Sequence, residues 1–214
     1  MRIWLDRKYT KRDLAQCEYL SFNGRKYHDD LGWRTEPDGL PILSARLLRK
    51  LQGHDTVSGP RPGWNIVSDR VKRAVESADL RHIAIHPVAL VRGRGRPDDP
   101  RLSWEDHGDP WWELTSDLAL PPLSPSVQVV AQDNSPFVSY ETQNLEIREG
   151  HYQIPELHYV RSEIEEREPF DLALTHEHFG KPPFQQRKIA SQRLYQLFQE
   201  HGFKASWIPV RLDD

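Results

Sequence analysis

Cysteine is almost absent from this sequence. Cys17 is the single cysteine in 214 residues, so no disulfide can form within the chain. A lone cysteine is far more often a half-buried apolar residue than a nucleophile, and we interpret Cys17 in that way. A chain of this length buries enough apolar surface to fold without a disulfide or a metal ion.

Long apolar runs are also missing. No stretch approaches the roughly 18 apolar residues of a membrane-spanning helix. The first residues do not contain the apolar run of about 7–15 residues that marks a signal peptide. We therefore expect a cytoplasmic protein that has no membrane partner.

The familiar catalytic signatures are absent as well. The sequence contains no G-x-S-x-G, no G-x-G-x-x-G after a strand, no Walker-type phosphate loop and no H-E-x-x-H. Arg92, Arg94 and Arg96 are basic, but they lack interleaved aromatic residues and any nucleic-acid-binding motif, so we interpret them as a solvated loop. We predict a protein that is not an enzyme, needs no cofactor and does not bind nucleic acid.

What the chain does contain is charge, proline and tryptophan. Charged residues make up 29%, and there are 17 Pro and 7 Trp, a mixture that favours long ordered loops and short edge strands. Residues 1–103 carry a net charge of +7, whereas residues 104–214 carry −10. We expect a basic and an acidic lobe within one compact domain. Either the two halves attract each other, or the acidic half faces a basic partner.

A short pattern, I-x-S-x-R followed by Leu or Val, occurs three times, around Ser44, Ser68 and Ser191. In each case an extended stretch ends at a serine that can cap a helix, and apolar residues then recur at helical spacing. The second and third segments continue into a strand with a Pro-Val pair, Pro87-Val88 and Pro209-Val210. The sequence predicts an α+β fold with two copies of a strand–helix–strand unit and a partial copy at residues 40–53. Between the two full copies lies a Pro- and Trp-rich, mainly β insert.

Three further expectations concern this scaffold. Proline within a strand indicates an edge or a strand start, so we place Pro87 and Pro209 there. The arginine that follows each serine should pair with a carboxylate or pack its stem on apolar neighbours. The S-x-x-E spacing of Ser162 and Glu165 predicts a capping box and a short helix near residues 162–168.

The insert carries our candidate partner-binding site. Tryptophan is enriched at the energetic centres of protein interfaces, although a core role competes for any single indole. Here three tryptophans lie among acidic residues, a mixture suited to a basic partner protein. The predicted partner-binding residues are Trp104, Glu105, Asp106, Asp109, Trp111 and Trp112.

The best metal candidate is the pair His176 and His178. On a strand, two histidines at i and i+2 share a face and can chelate zinc, with a third ligand from His151, His158 or Asp171. With 10 histidines in the chain, chance pairs are expected. We therefore assign no metal site and keep this pair as the basis of an alternative, a metal-dependent hydrolase.

One family resemblance rests on the C-terminal part of the chain. Residues 170–175, 188–195 and 207–212 resemble the C-terminal unit of bacterial polymorphic-toxin immunity proteins, and are most similar to the double-CxxCG immunity family. The resemblance covers residues 64–90 and 156–212, but the paired CxxCG knuckles of the family, and with them its zinc sites, are missing. It implies an inhibitor that neutralises a cognate bacterial toxin by binding it. A further alternative is an oligomeric scaffold whose Pro87 and Pro209 strands pair between chains.

Overall fold

The predicted α+β class is confirmed by the computed structural model. It describes residues 9–26, 34–35, 41–58, 65–93, 99–127, 130–131, 146–148, 152–153, 156–180 and 185–214. The helices in these residues are α1 (Lys11–Ala15), α2 (Ala45–Leu48), α3 (Asp69–Ser77), α4 (Arg161–Glu165) and α5 (Gln192–Glu200). Among them, no helix is long and apolar enough to cross a membrane.

Sixteen strands occur in the described residues, and most of them are short. Those before residue 103 are β1 (Tyr19–Asn23), β2 (Arg25–Lys26), β3 (Arg34–Thr35), β4 (Pro41–Ser44), β5 (Thr56–Ser58), β6 (Asn65–Ser68), β7 (Ala84–Pro87) and β8 (Ala89–Val91). Those after it are β9 (Trp111–Thr115), β10 (Val130–Ala131), β11 (Glu146–Arg148), β12 (Tyr152–Gln153), β13 (Leu157–Val160), β14 (Leu172–Gly180), β15 (Gln185–Ser191) and β16 (Ser206–Asp213).

Two main sheets organise these strands. The larger has the order β11-β14-β15-β1-β16-β13, and the smaller has the order β2-β5-β6-β9-β7. Strand β1 is antiparallel to both of its neighbours, β15 and β16, and β9 is antiparallel to β6 and β7. Strand β1, from the first half of the chain, therefore lies inside the larger sheet, and β9, from the second half, lies inside the smaller one. The predicted boundary at residue 103 separates the basic part of the sequence from the acidic part. It does not separate the two sheets, because each contains strands from both parts.

The segments β6–α3–β7 and β15–α5–β16 share one topology. In each, the two strands are parallel to one another and separated by a single antiparallel strand, β9 or β1. Helices α3 and α5 contact each other. That the two segments are copies of an internal repeat stays a prediction.

Both main sheets bury side chains on both faces. Because side chains alternate along a strand, Val67 and Leu172 point into one central core, whereas Ile66 and Ala173 point into separate cores on the outer faces. The central core also receives the apolar sides of α3 and α5. In it the Phe198 ring lies 5.4–5.5 Å, centroid to centroid, from three other aromatic rings, those of Phe22, Phe203 and Trp207.

Each of the three predicted serines ends a strand immediately before a helix, but only two of them cap it. The Ser44 Oγ accepts a hydrogen bond from Leu47 N at 3.2 Å, and the Ser191 Oγ accepts one from Leu194 N at 3.3 Å. The Ser68 Oγ does not cap α3, and this buried oxygen has no hydrogen-bond partner among the described residues. The capping prediction is therefore wrong for Ser68.

This difference gives a direct test of the cap. We expect Ser191→Ala to lower the free energy of unfolding by about 1–2 kcal/mol, because it removes a helix cap and a hydroxyl that donates to Asp171. Ser68→Ala should stay within about 0.5 kcal/mol of the wild-type protein, since no hydrogen bond is lost. Urea denaturation of both variants measures the two values. Equal losses of unfolding free energy in the two variants would show that the Ser191 hydrogen bonds do not stabilise the fold.

Two local predictions need correction. Pro87 lies on β7, an edge strand, but Pro209 lies on β16, which pairs with β1 and β13 on its two sides, so the edge prediction is wrong there. Helix α4 begins after Val160 without any side-chain cap, so Ser162 is not part of a capping box. Gly202 follows α5 with φ +69°, the left-handed conformation expected after a helix end.

Candidate partner-binding site

The predicted acidic segment forms an ordered loop, residues 103–109, between β8 and β9. The Trp104 indole Nε1 donates to the carbonyl of Val88, the residue between β7 and β8, at 3.0 Å. This hydrogen bond fixes the loop to the neighbouring strands. Within the loop, His107 N donates to the Trp104 carbonyl and Glu105 N donates to the Ser103 Oγ. Gly108, at φ +103°, supplies the left-handed residue that turns the chain back toward β9. We call this segment the acidic loop.

The acidic loop presents its carboxylates to solvent. Glu105, Asp106 and Asp109 are all exposed. In the part of the chain that the structure describes, none of the three forms an ion pair with a basic side chain. Three negative charges therefore lie close together on a loop whose backbone is already ordered.

The three tryptophans do not form one surface. Trp104 is half-buried, and its ring packs beside the core that contains Trp111, which is only 6% exposed. Trp112 points to the opposite face of β9, where its indole Nε1 donates to Asp69 Oδ1 at 3.1 Å and the Lys72 ammonium lies 4.6 Å from the ring centroid. The structure thus gathers Trp104, the three carboxylates and Trp111 around one loop and places Trp112 elsewhere.

An open pocket of about 860 Å³ borders the acidic loop. The lining includes Arg46 and Arg49, from α2 and the following turn, and Arg92, which follows β8. His107 and Asp109 of the acidic loop complete the wall with His54 and Trp111, among other residues. Among the described lining residues, three arginines against one aspartate make this pocket cationic, and we call it the arginine pocket.

The arginine pocket was not predicted from the sequence. Strands β4 and β8 are parallel neighbours, with Ser44 opposite Val91, so the residues that follow them emerge at the same sheet edge. This pairing brings Arg46 and Arg92 together although 46 positions separate them in the chain. The sequence predicts a solvated loop at Arg92, and the I-x-S-x-R pattern indicates only a scaffold role for Arg46.

The arginine of the third I-x-S-x-R segment forms an ion pair, as predicted. Arg193 Nη1 lies 3.0 Å from Asp171 Oδ2, and its Nη2 donates to the Asp79 carbonyl. The same aspartate accepts a hydrogen bond from the Ser191 Oγ, and its backbone carbonyl accepts one from Ser191 N.

The second segment has a looser version of this arrangement. Arg70 Nε lies 3.5 Å from Asp55 Oδ1, its Nη2 donates to the His201 carbonyl, and the Asp55 carbonyl accepts from Ser68 N. The arginine of the first segment, Arg46, is different. Among the described residues it has no carboxylate partner; it is exposed and lines the pocket.

The histidine pair does not gather a metal-binding cluster within the described ranges. His176 and His178 are exposed on one face of β14, and Glu177 between them is buried on the other, where its Oε1 accepts from Leu123 N at 2.7 Å. Burial raises the pKa of the Glu177 carboxyl. Across the residues that can be described, no group of three or more potential ligands is close enough to hold a metal ion.

The proposed third ligands lie elsewhere or are engaged. His158 is on β13, and its Nδ1 lies 3.3 Å from Asp213 Oδ1. Asp171 is held by Arg193, and His151 lies outside the described residues. The described geometry therefore does not favour the hydrolase alternative.

The comparisons with known proteins identify no family for this chain. No protein-family model matches the sequence, and no curated protein or solved structure gives a significant match.

Proposed function

We propose that this chain is a non-enzymatic immunity protein that neutralises a cognate bacterial toxin by binding it. The observation that carries the proposal is the acidic loop, in which Glu105, Asp106 and Asp109 are exposed and unpaired within the described chain. The resemblance of residues 64–90 and 156–212 to toxin immunity proteins supports the same reading.

The physical basis is electrostatic complementarity with a basic patch on the toxin. Clustered charges of one sign attract the opposite sign at a distance and raise the rate of association. Because the Trp104 indole already anchors the loop, little conformational entropy is lost when the partner docks. Such a loop therefore favours fast binding without any chemistry of its own.

Co-expression with the products of adjacent genes tests the proposal. The protein should co-purify with a toxin encoded beside it, and the purified pair should give a stoichiometric complex in isothermal titration calorimetry. Loss of the toxin's activity on mixing would complete the case. A chain that captures no neighbouring gene product would overturn the proposal.

Charge reversal tests the role of the loop. We expect the triple variant Glu105→Lys, Asp106→Lys and Asp109→Lys to weaken toxin binding about 100-fold or more at low salt, mainly by slowing association. Surface plasmon resonance at two ionic strengths measures both rate constants, and the difference should shrink at high salt.

A matched control separates the loop from net charge. Glu163, Glu166 and Glu200 are exposed on or next to α4 and α5, and reversing all three changes the net charge by the same amount. This control should keep the wild-type affinity within a few-fold. If both triple variants lose affinity equally, the effect belongs to total charge and the acidic loop is not the docking site.

A further inference from the structure

The three arginines of the I-x-S-x-R segments provide an internal comparison. Arg70 and Arg193 each contact an aspartate carboxylate and a backbone carbonyl from a neighbouring segment. Arg46 occupies the same place after its strand, yet in the described chain it has no such partner and faces an open pocket. The fold therefore supplies a carboxylate to two of these arginines and leaves the third open to a ligand.

The surroundings of Arg46 reinforce this difference. Arg49 and Arg92 line the same pocket, both are exposed, and no carboxylate of the described chain pairs with either of them. Among the described residues of the lining, Asp109 is the one acidic residue. Guanidinium groups bind carboxylates with two parallel hydrogen bonds, so a cluster of three is well suited to an acidic ligand.

We infer that the arginine pocket receives an acidic segment of the partner protein, with a carboxylate of that segment bound by Arg46. The inference rests on the proposed function, because it assigns the chemistry of the same partner. A volume of about 860 Å³ accepts a loop or a chain terminus rather than one side chain. The partner surface then carries an acidic segment beside a basic patch, the inverse of the arginine pocket beside the acidic loop.

This arrangement gives the complex its orientation. The acidic loop alone would attract any basic surface. The acidic loop and the arginine pocket together match only a partner that presents a basic patch and an acidic segment at the corresponding positions. Placing like charges opposite each other is costly, so a rotated or unrelated partner is rejected. Asp109, at the border of the two sites, repels the acidic segment from the loop side.

The first experiment tests the pocket without the toxin. An acetylated and amidated Gly-Glu-Asp-Glu-Gly peptide is titrated into the ¹⁵N-labelled protein, with Gly-Gln-Asn-Gln-Gly and inorganic phosphate as comparisons, and the Arg Nε–Hε signals are followed. We expect the acidic peptide to shift the signals of Arg46, Arg49 and Arg92. The double variant Arg46→Ala and Arg49→Ala should weaken its binding at least tenfold. Arg12→Ala, an exposed arginine on α1, should not change it.

The second experiment uses the toxin. If wild-type protein captures the toxin and the double variant, with an unchanged urea midpoint, binds it at least tenfold more weakly, the inference is supported. Unchanged toxin affinity in the double variant would overturn it while leaving the proposed function intact. Absence of toxin capture by the wild-type protein would overturn the proposed function instead. A pocket that phosphate shifts as strongly as the peptide does would be a general anion site and would also contradict the inference.

Discussion

Replacing Asp171 with alanine is expected to lower the free energy of unfolding by about 3–4 kcal/mol. The residue is 2% exposed, and its carboxylate accepts hydrogen bonds from Ser191 Oγ at 2.6 Å, Arg81 N at 2.9 Å and Arg193 Nη1 at 3.0 Å. Alanine removes three hydrogen bonds at once. The Arg81 and Ser191 donors then lose their acceptor in a site that water reaches poorly, which costs more than the bonds themselves contribute.

Asp55 provides the matched comparison because it holds the equivalent arginine of the other strand–helix segment. Its side chain is 19% exposed and contacts Arg70 at 3.5 Å, so Asp55→Ala should cost less than about 1 kcal/mol. Asp171→Asn, which keeps one carbonyl acceptor, should recover part of the loss. Urea denaturation of the three variants gives the values. Similar losses for Asp171→Ala and Asp55→Ala would contradict the assignment of a buried network to Asp171.

The local parts of the fold follow from the sequence because their signals are local. A β-prone stretch ending at serine, followed by apolar residues at helical spacing, places the strand–helix junctions after Ser44, Ser68 and Ser191 where the structure has them. Even there, sequence alone does not show whether the serine hydroxyl caps the helix. Ser68 ends its strand as expected, but its hydroxyl makes no capping bond.

The assembly of the sheets was beyond sequence reasoning because it depends on pairings distant in the chain. Insertion of β1 between β15 and β16 joins residues more than 160 positions apart, and no local pattern encodes that choice. It also explains the error at Pro209. A proline usually avoids internal strands, but Pro209 precedes the first residue of β16 that pairs with β13, Val210, so the lack of an N–H costs little there.

The candidate site likewise has one part that follows from local sequence, the acidic loop, and one part that depends on distant pairing, the arginine pocket. The acidic loop is contiguous, so composition alone pointed to Trp104 and its acidic neighbours. Recognising β9 as a strand would have separated Trp111 from Trp112, since adjacent side chains in a strand point to opposite faces. The arginine pocket needs the parallel pairing of β4 with β8, and nothing in the sequence signals that contact.

A buried lysine gives the second large expected effect, a rise in stability with pH. Lys188 on β15 is 3% exposed, and burial lowers its pKa to about 8, with Glu113 on β9 acting in the opposite direction. In the unfolded chain a lysine has a pKa of about 10.4. Between those two values the unfolded chain binds the proton and the folded chain does not, so stability increases as the pH rises through this interval.

The size of the effect follows from the two pKa values. At neutral pH both states are protonated, and the folded protein bears the full cost of a buried ammonium, about 3 kcal/mol. Lys188→Met should therefore be more stable than the wild-type protein at pH 7, and its advantage should shrink toward pH 10. Urea denaturation of both proteins at several pH values between 7 and 10 measures the difference.

Comparing Lys188→Met with the wild-type protein at each pH cancels the contributions of the other groups that titrate in the same range. Burial raises the pKa values of Cys17, Tyr19 and Tyr195, so these groups lower stability as the pH rises, but they do so equally in both proteins. Glu113→Gln supplies a second arm: without that carboxylate the pKa of Lys188 falls further, and the rise in stability should begin at lower pH. An advantage of Lys188→Met that stays constant from pH 7 to pH 10 would contradict a depressed pKa. Since β9 and β15 belong to different sheets, a change in the pH profile on Glu113→Gln would also show that the two sheets pack together in solution.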